Sequence, residues 1–148
     1  MSATDTLQEL VDERDIVALA LRYCRALDTK DWPLLADVFL PEATADLASP
    51  VHLEGIDAII DRIRTALQHL DESQHLVGNH EVTVDGNAGT HRCYLHAQHI
   101  RAATDGGPHY IVAGRYEDRV VRTDAGWRIA HRTLTVMWTE GNVAVTRP

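Results

Sequence analysis

The chain has 148 residues, of which 45% are hydrophobic and 24% charged, and its formal net charge is −8. That length predicts one domain, residues 1–148, with a core large enough to need no covalent staples. The acidic balance and the lack of any Lys/Arg run exclude a nucleic-acid partner, and no apolar stretch approaches the roughly 20 residues that cross a bilayer.

Residues 1–15 are polar and acidic, without the basic start and apolar centre of a signal peptide. Cys24 and Cys93 lie far apart with no CxxC spacing, so two small buried thiols in a reducing, cytoplasmic setting are expected. Asp5 or Thr6 is placed to cap a long first helix. Its apolar stripe is Ile16, Ala20, Tyr23 and Leu27, with Asp12, Glu13, Arg22 and Arg25 mostly off it. Asp31 begins a short second helix with Pro33 in its first turn, and Pro41 ends it. Residues 43–47 suit a short strand. Gly55 precedes a third helix whose face is Ile56, Ile59, Ile60, Ile63 and Leu67.

From Gln74 the period changes to two. Strands are expected over 74–84, 90–103, 110–122 and 127–138, joined by turns rich in Asp and Gly. Consecutive hairpins make an antiparallel meander. Helices first and strands after give an α+β fold, with three N-terminal helices on a strongly curved sheet. Such a sheet encloses a pocket for a small molecule.

Several segments carry a family resemblance. Arg22-Tyr23-Cys24-Arg25-Ala26-Leu27-Asp28-Thr29-Lys30-Asp31-Trp32 resembles the pattern RYxxALDxxDW of the SnoaL-like group within the nuclear transport factor 2-like superfamily. Leu35 to Ala43 resembles its LxxxFxxDA, and Gln74-His75-Leu76-Val77-Gly78-Asn79 its xHxxxN strand start. Gly114-Arg115-Tyr116-Glu117-Asp118 and Gly126-Trp127-Arg128-Ile129 resemble its last two strands. The resemblance implies a cone-shaped α+β barrel and an enzyme that works without metal or organic cofactor. In the branch that includes scytalone dehydratase, bile acid 7α-dehydratase and hexachlorocyclohexane dehydrochlorinase, an Asp ending the first helix orients a His that removes a proton during elimination. The matching residues are Asp28 and His75.

That pairing makes chemical sense. Histidine titrates near neutrality, and a carboxylate on one ring nitrogen fixes the tautomer and stabilises the imidazolium. A carboxylate at a helix C-terminus also opposes the macrodipole, so Asp28 needs a compensating partner. Tyr23, five residues earlier, suits either polarisation of a substrate oxygen or the core. His96 and His99 face opposite sides of their strand, and His99 shares its side with Cys93, Leu95 and Ala97, which suits a pocket. By parity Asn79 joins His75 on one face. Trp32 and Tyr116 are expected in the core or the pocket wall, as are Trp127, Met137 and Trp138. Arg132 is a candidate for an anionic intermediate.

No HxH, HExxH or clustered Cys/His spacing predicts a metal site. The expected activity is a dehydratase or a related lyase or isomerase acting on a hydrophobic polyketide- or steroid-like compound. A non-catalytic binding or dimerisation module of the same fold is the other reading. The family habit and an apolar outer sheet, expected from Tyr94, Val120 and Trp138, imply a homodimer through the sheet.

Overall fold

A computed structural model describes all 148 residues. The elements are α1 (Ala3–Asp28), a 3₁₀ helix (Trp32–Asp37), β1 (Phe39–Leu47), β2 (His52–Glu54), α2 (Ile56–Leu67), β3 (Glu72–Asp85), β4 (Ala88–Ile100), β5 (His109–Thr123), β6 (Gly126–Gly141) and a terminal 3₁₀ turn (Val143–Thr146). One six-stranded sheet has the order β2-β1-β6-β5-β4-β3. The β3–β6 meander and the β1–β2 pair are antiparallel, and β1 joins β6 in parallel. The three helices lie over one face of this open, mixed sheet, as the order of elements predicts.

The boundaries differ from expectation where local chemistry was misread. Ser2 rather than Asp5 caps α1: its hydroxyl accepts from the Asp5 N–H, and the Asp5 carboxylate accepts from the Ser2 N–H in return. Pro41 does not end the second helix. That helix stops at Asp37, and Pro41 lies inside β1. The short β2 and the terminal turn carry too little periodicity to be read from sequence.

The core joins the α1 stripe to the inner face of the sheet. Ile16, Leu35, Ile59 and Ile129 are each fully buried, and burial of such a side chain stabilises by roughly 1.5–3 kcal/mol. Asp12, expected on the solvent side, is instead buried. Its carboxylate accepts two bonds of 2.8 Å from Arg122 and one of 3.1 Å from the Trp127 indole N–H. This clamp fixes α1 to the β5–β6 end of the sheet, so Trp127 is a core residue remote from the pocket.

Two bulges overturn expectations based on strict alternation. In β3, Gly78 pairs with Tyr94 and Glu81 with Arg92, so Asn79 and His80 together oppose Cys93. Asn79 takes a positive φ of 56° and is exposed, while His80 turns inward. Asn79 is therefore not on the His75 face. In β6, Arg119 pairs with His131 and Val120 with Ile129, which leaves Ala130 unpaired and sends Arg132 inward. On the outer face Leu76, Tyr94, Met137 and Trp138 are about half exposed. Met137 and Trp138 are thus not core or pocket residues. Val120 is buried on the inner face and takes no part in the outer patch.

Candidate active site

The site begins where α1 ends. Lys30 adopts a left-handed φ of 56°, so the helix closes with Asp28 as its last residue. There the carboxylate meets the start of β3. Asp28 Oδ1 lies 2.6 Å from His75 Nδ1 and accepts from the Ser73 hydroxyl at 2.9 Å. Its Oδ2 accepts from the His75 backbone N–H at 3.0 Å. Burial pushes the Asp28 pKa up, but the bonds from the His75 ring, the His75 backbone and Ser73 outweigh it and hold the carboxyl below its ordinary range. These donors compensate a charge that the helix dipole alone would oppose.

Because Asp28 takes Nδ1, the lone pair of neutral His75 lies on Nε2. His75 lines an open-mouthed cavity of about 240 Å³ between α1, α2, the sheet and the terminal turn. Fourteen of its eighteen lining residues are hydrophobic, which suits a largely apolar small molecule held by few polar groups. His99, on the neighbouring strand β4, packs edge to face against His75 in the same lining, with ring centroids 5.5 Å apart and planes at 89°. The His99 Nδ1–H donates to the Tyr110 carbonyl at 3.0 Å, which leaves Nε2 as an acceptor. Burial first, then the neighbouring His75, depress the His99 pKa to about 4, so this ring is neutral at physiological pH.

Tyr23 and Tyr116 form the cavity's inner wall, packed edge to face at 5.6 Å. Burial raises both phenol pKa values, so both hydroxyls stay protonated. Tyr23 is thus both a stripe residue of the core and a wall of the cavity.

Two more of the candidates for the pocket lie elsewhere. Arg132 is fully buried and is not in the cavity lining. Its guanidinium carbon sits 4.4 Å from the Tyr23 ring centroid and 4.0 Å from that of Tyr116. Nε and Nη2 donate to Asp118 at 2.7 and 2.8 Å. Arg132 therefore supports the tyrosine wall and does not reach into the cavity. Trp32, the first residue of the 3₁₀ helix, is half-buried against the core and also lies outside the lining. Asn79, displaced by the β3 bulge, faces the outer side.

Sequence reasoning missed three contributors. Ser73 is two residues before His75 and shares its face, so parity was enough to find it. The Tyr110 carbonyl that orients His99 depends on the β4–β5 register, in which His99 pairs with Tyr110. Arg62 of α2 is the one lysine or arginine in the lining and is exposed. Nothing in the periodicity of α2 distinguishes it from Arg64.

Comparison with known proteins places the chain in a family. Residues 8–133 match the SnoaL-like domain. An uncharacterized protein of Mycobacterium tuberculosis is 30% identical over 134 residues, covering 88% of each chain. Terrestric acid biosynthesis cluster protein E of Penicillium crustosum is 30% identical over 148 residues, covering 95% of this chain and 93% of its own. A crystal structure from Novosphingobium aromaticivorans, of a protein assigned as a scytalone dehydratase, superposes with a TM-score of 0.83 at 25% identity. It covers 93% of this chain and 91% of its own. The resemblance read from the helix-end and strand motifs is borne out: the chain belongs to the SnoaL-like domain family of the nuclear transport factor 2-like superfamily.

Proposed function

We propose that the protein is a lyase that eliminates water, or a comparable leaving group, from a hydrophobic small molecule, with His75 as the general base. The observation that carries this reading is the 2.6 Å contact between Asp28 Oδ1 and His75 Nδ1 at the rim of an apolar cavity. It leaves one basic nitrogen directed at whatever the cavity holds. The similarity to a secondary-metabolite cluster protein and to an assigned dehydratase supports the same class.

In a β-hydroxy carbonyl substrate, His75 Nε2 takes the proton from the carbon next to the carbonyl. The C–H electrons become the C=C bond as the C–O bond breaks, and the departing hydroxide collects the proton back from His75 as water. Asp28 stabilises the imidazolium between these events. The protonated phenols of Tyr23 and Tyr116 polarise the carbonyl oxygen. His99 is neutral with its proton on Nδ1, so it serves as an acceptor for a substrate hydroxyl. The step needs no group beyond these side chains.

The test is a panel of aromatic and alicyclic β-hydroxy ketones, followed by mass spectrometry for loss of one water. Wild-type protein is expected to dehydrate at least one member. Asp28→Asn is expected to lower kcat about 10³-fold, within the range for general acid–base catalysis, with ligand Kd changed less than threefold. Binding without turnover in both proteins overturns the lyase reading and leaves a binding module.

A further inference from the structure

A second cluster of chemically capable side chains lies at the other end of the inner face, outside the cavity lining. His91 and Cys93 are two residues apart on β4 and therefore share a face. The bulge in β3 brings His80 opposite Cys93. His80 Nδ1 lies 2.9 Å from His91 Nε2. The donor atoms of His80, His91 and Cys93 all fall within 4.8 Å of one another. His91 and Cys93 are buried, at 2% and 3% exposure, while His80 is half-buried and gives the cluster its route to solvent.

The surroundings are those of a ligand set. Asp118 Oδ2 accepts from the His91 Nδ1–H at 2.8 Å, which fixes the tautomer and aims the Nε2 lone pair at the cluster. Arg132 in turn holds both Asp118 oxygens. A carboxylate behind the far nitrogen of a histidine is the usual outer support of a metal-binding imidazole. We propose that His80, His91 and Cys93 bind a divalent transition-metal ion of the zinc type, with Asp118 as the positioning residue for His91.

Two imidazole nitrogens and a thiolate suit zinc or cobalt(II), whereas a harder cation such as Mg²⁺ selects oxygen. A tetrahedral ion needs ligand–ligand edges of roughly 3.3–3.6 Å. The two nitrogens must therefore part by a few tenths of an ångström, and the sulfur must close by on the order of 1 Å, a side-chain rotation. On binding, the His80 proton moves from Nδ1 to Nε2 and the Cys93 thiol proton leaves. One proton is released per ion, and the thiolate offsets one of its two charges. Solvent supplies the fourth ligand on the His80 side. The ion would pin the β3 bulge to β4.

Untagged protein is titrated with Co²⁺ and followed by absorption, then with Zn²⁺ in buffers of different ionisation enthalpy. The expected result is one ion per chain, a thiolate-to-cobalt charge-transfer band with strong visible bands of a tetrahedral site, and release of about one proton. Zn²⁺ is expected to displace Co²⁺ and raise the Tm. His80→Ala, at a half-buried position where the fold tolerates truncation, is expected to abolish the bands and the Tm shift. Cys93→Ser is expected to lose the charge-transfer band. Asp28→Asn should bind as wild type does. Absence of a charge-transfer band at one equivalent, or bands that survive His80→Ala, overturns the proposal.

Discussion

The inner face of the sheet holds two Asp–His pairs of similar geometry and opposite environment. Asp28 and His75 meet at 2.6 Å with no lysine or arginine paired to the carboxylate, and the Asp28 side chain keeps 24% exposure. Asp118 and His91 meet at 2.8 Å with side chains 0% and 1% exposed, and Arg132 binds both carboxylate oxygens. In the second pair the carboxylate charge is already matched by a full cation, and the outer nitrogen of His91 is engaged by His80. In the first, the carboxylate is stabilised by neutral donors and the outer nitrogen of the imidazole is uncommitted. The same two residue types thus make a responsive site when the histidine ends in a cavity, and a fixed framework when it ends in other side chains.

Matched substitutions break this comparison most directly. Asp28→Asn is expected to lower turnover about 10³-fold, equivalent to about 4 kcal/mol of barrier, while changing stability by less than about 1 kcal/mol, because the site is partly open to water. Asp118→Asn is expected to do the reverse. It leaves the Arg132 guanidinium buried without a counter-charge, which costs about 3–5 kcal/mol of unfolding free energy. Urea denaturation and single-turnover kinetics on both variants decide the matter. Equal stability losses would mean that the two pairs are not different in kind.

A smaller effect separates the cavity histidines by pH. The His99 pKa falls from 6.5 to about 4, mainly through burial. A histidine depressed in the folded state takes up protons more readily when unfolded, so stability falls as pH drops from about 6.5 towards 4. That depression corresponds to on the order of 3 kcal/mol. His75, Tyr110 and Asp28 lie about this ring. Urea unfolding at pH 7 and pH 4.5 is expected to show the loss in wild type and most of it absent in His99→Phe. An equal loss in the variant would place the acid sensitivity elsewhere, in His80 first, whose pKa burial also lowers.

The sequence carries one of these regions far better than the other. The Asp28–His75 pair is legible because both residues fall in the helix-end and strand-start motifs that resemble the SnoaL-like pattern. His99 is legible because β4 keeps strict alternation along its whole length. Arg132, Asn79 and His80 are not, because each lies at or beyond a bulge, and one extra residue reverses the side on which every later side chain points. Nothing in the strings around Asn79 or Ala130 announces the bulge. Arg132 therefore reads as equally suited to surface and pocket, yet it is fully buried between two tyrosines. The Asp12 clamp escapes for another reason: a carboxylate off the apolar stripe is normally solvated, and only the fold brings Arg122 and Trp127 to it.

Ser73 offers the mildest and most discriminating test of the contrast. Its hydroxyl donates to the Asp28 oxygen that also faces His75 Nδ1. Ser73→Ala removes one donor from a carboxylate that still holds the His75 backbone N–H and its ring. Asp28 is exposed enough for water to replace the hydroxyl in part, so the expected loss is about 0.5 kcal/mol at pH 7. The sign with pH follows from the direction of the shift. Asp28 is held below its ordinary range in the folded state, so its stabilisation is present above the unfolded pKa of about 3.9 and disappears as pH falls through the folded value. Ser73→Ala weakens that depression, and the difference from wild type should shrink in acid. A gap that stays constant from pH 7 to pH 3 would mean that Ser73 acts through packing alone. A loss as large as that of Asp118→Asn would mean that the Asp28 carboxylate depends on Ser73 as Asp118 depends on Arg132, and the distinction between an open site and a closed framework would fail at its smallest member.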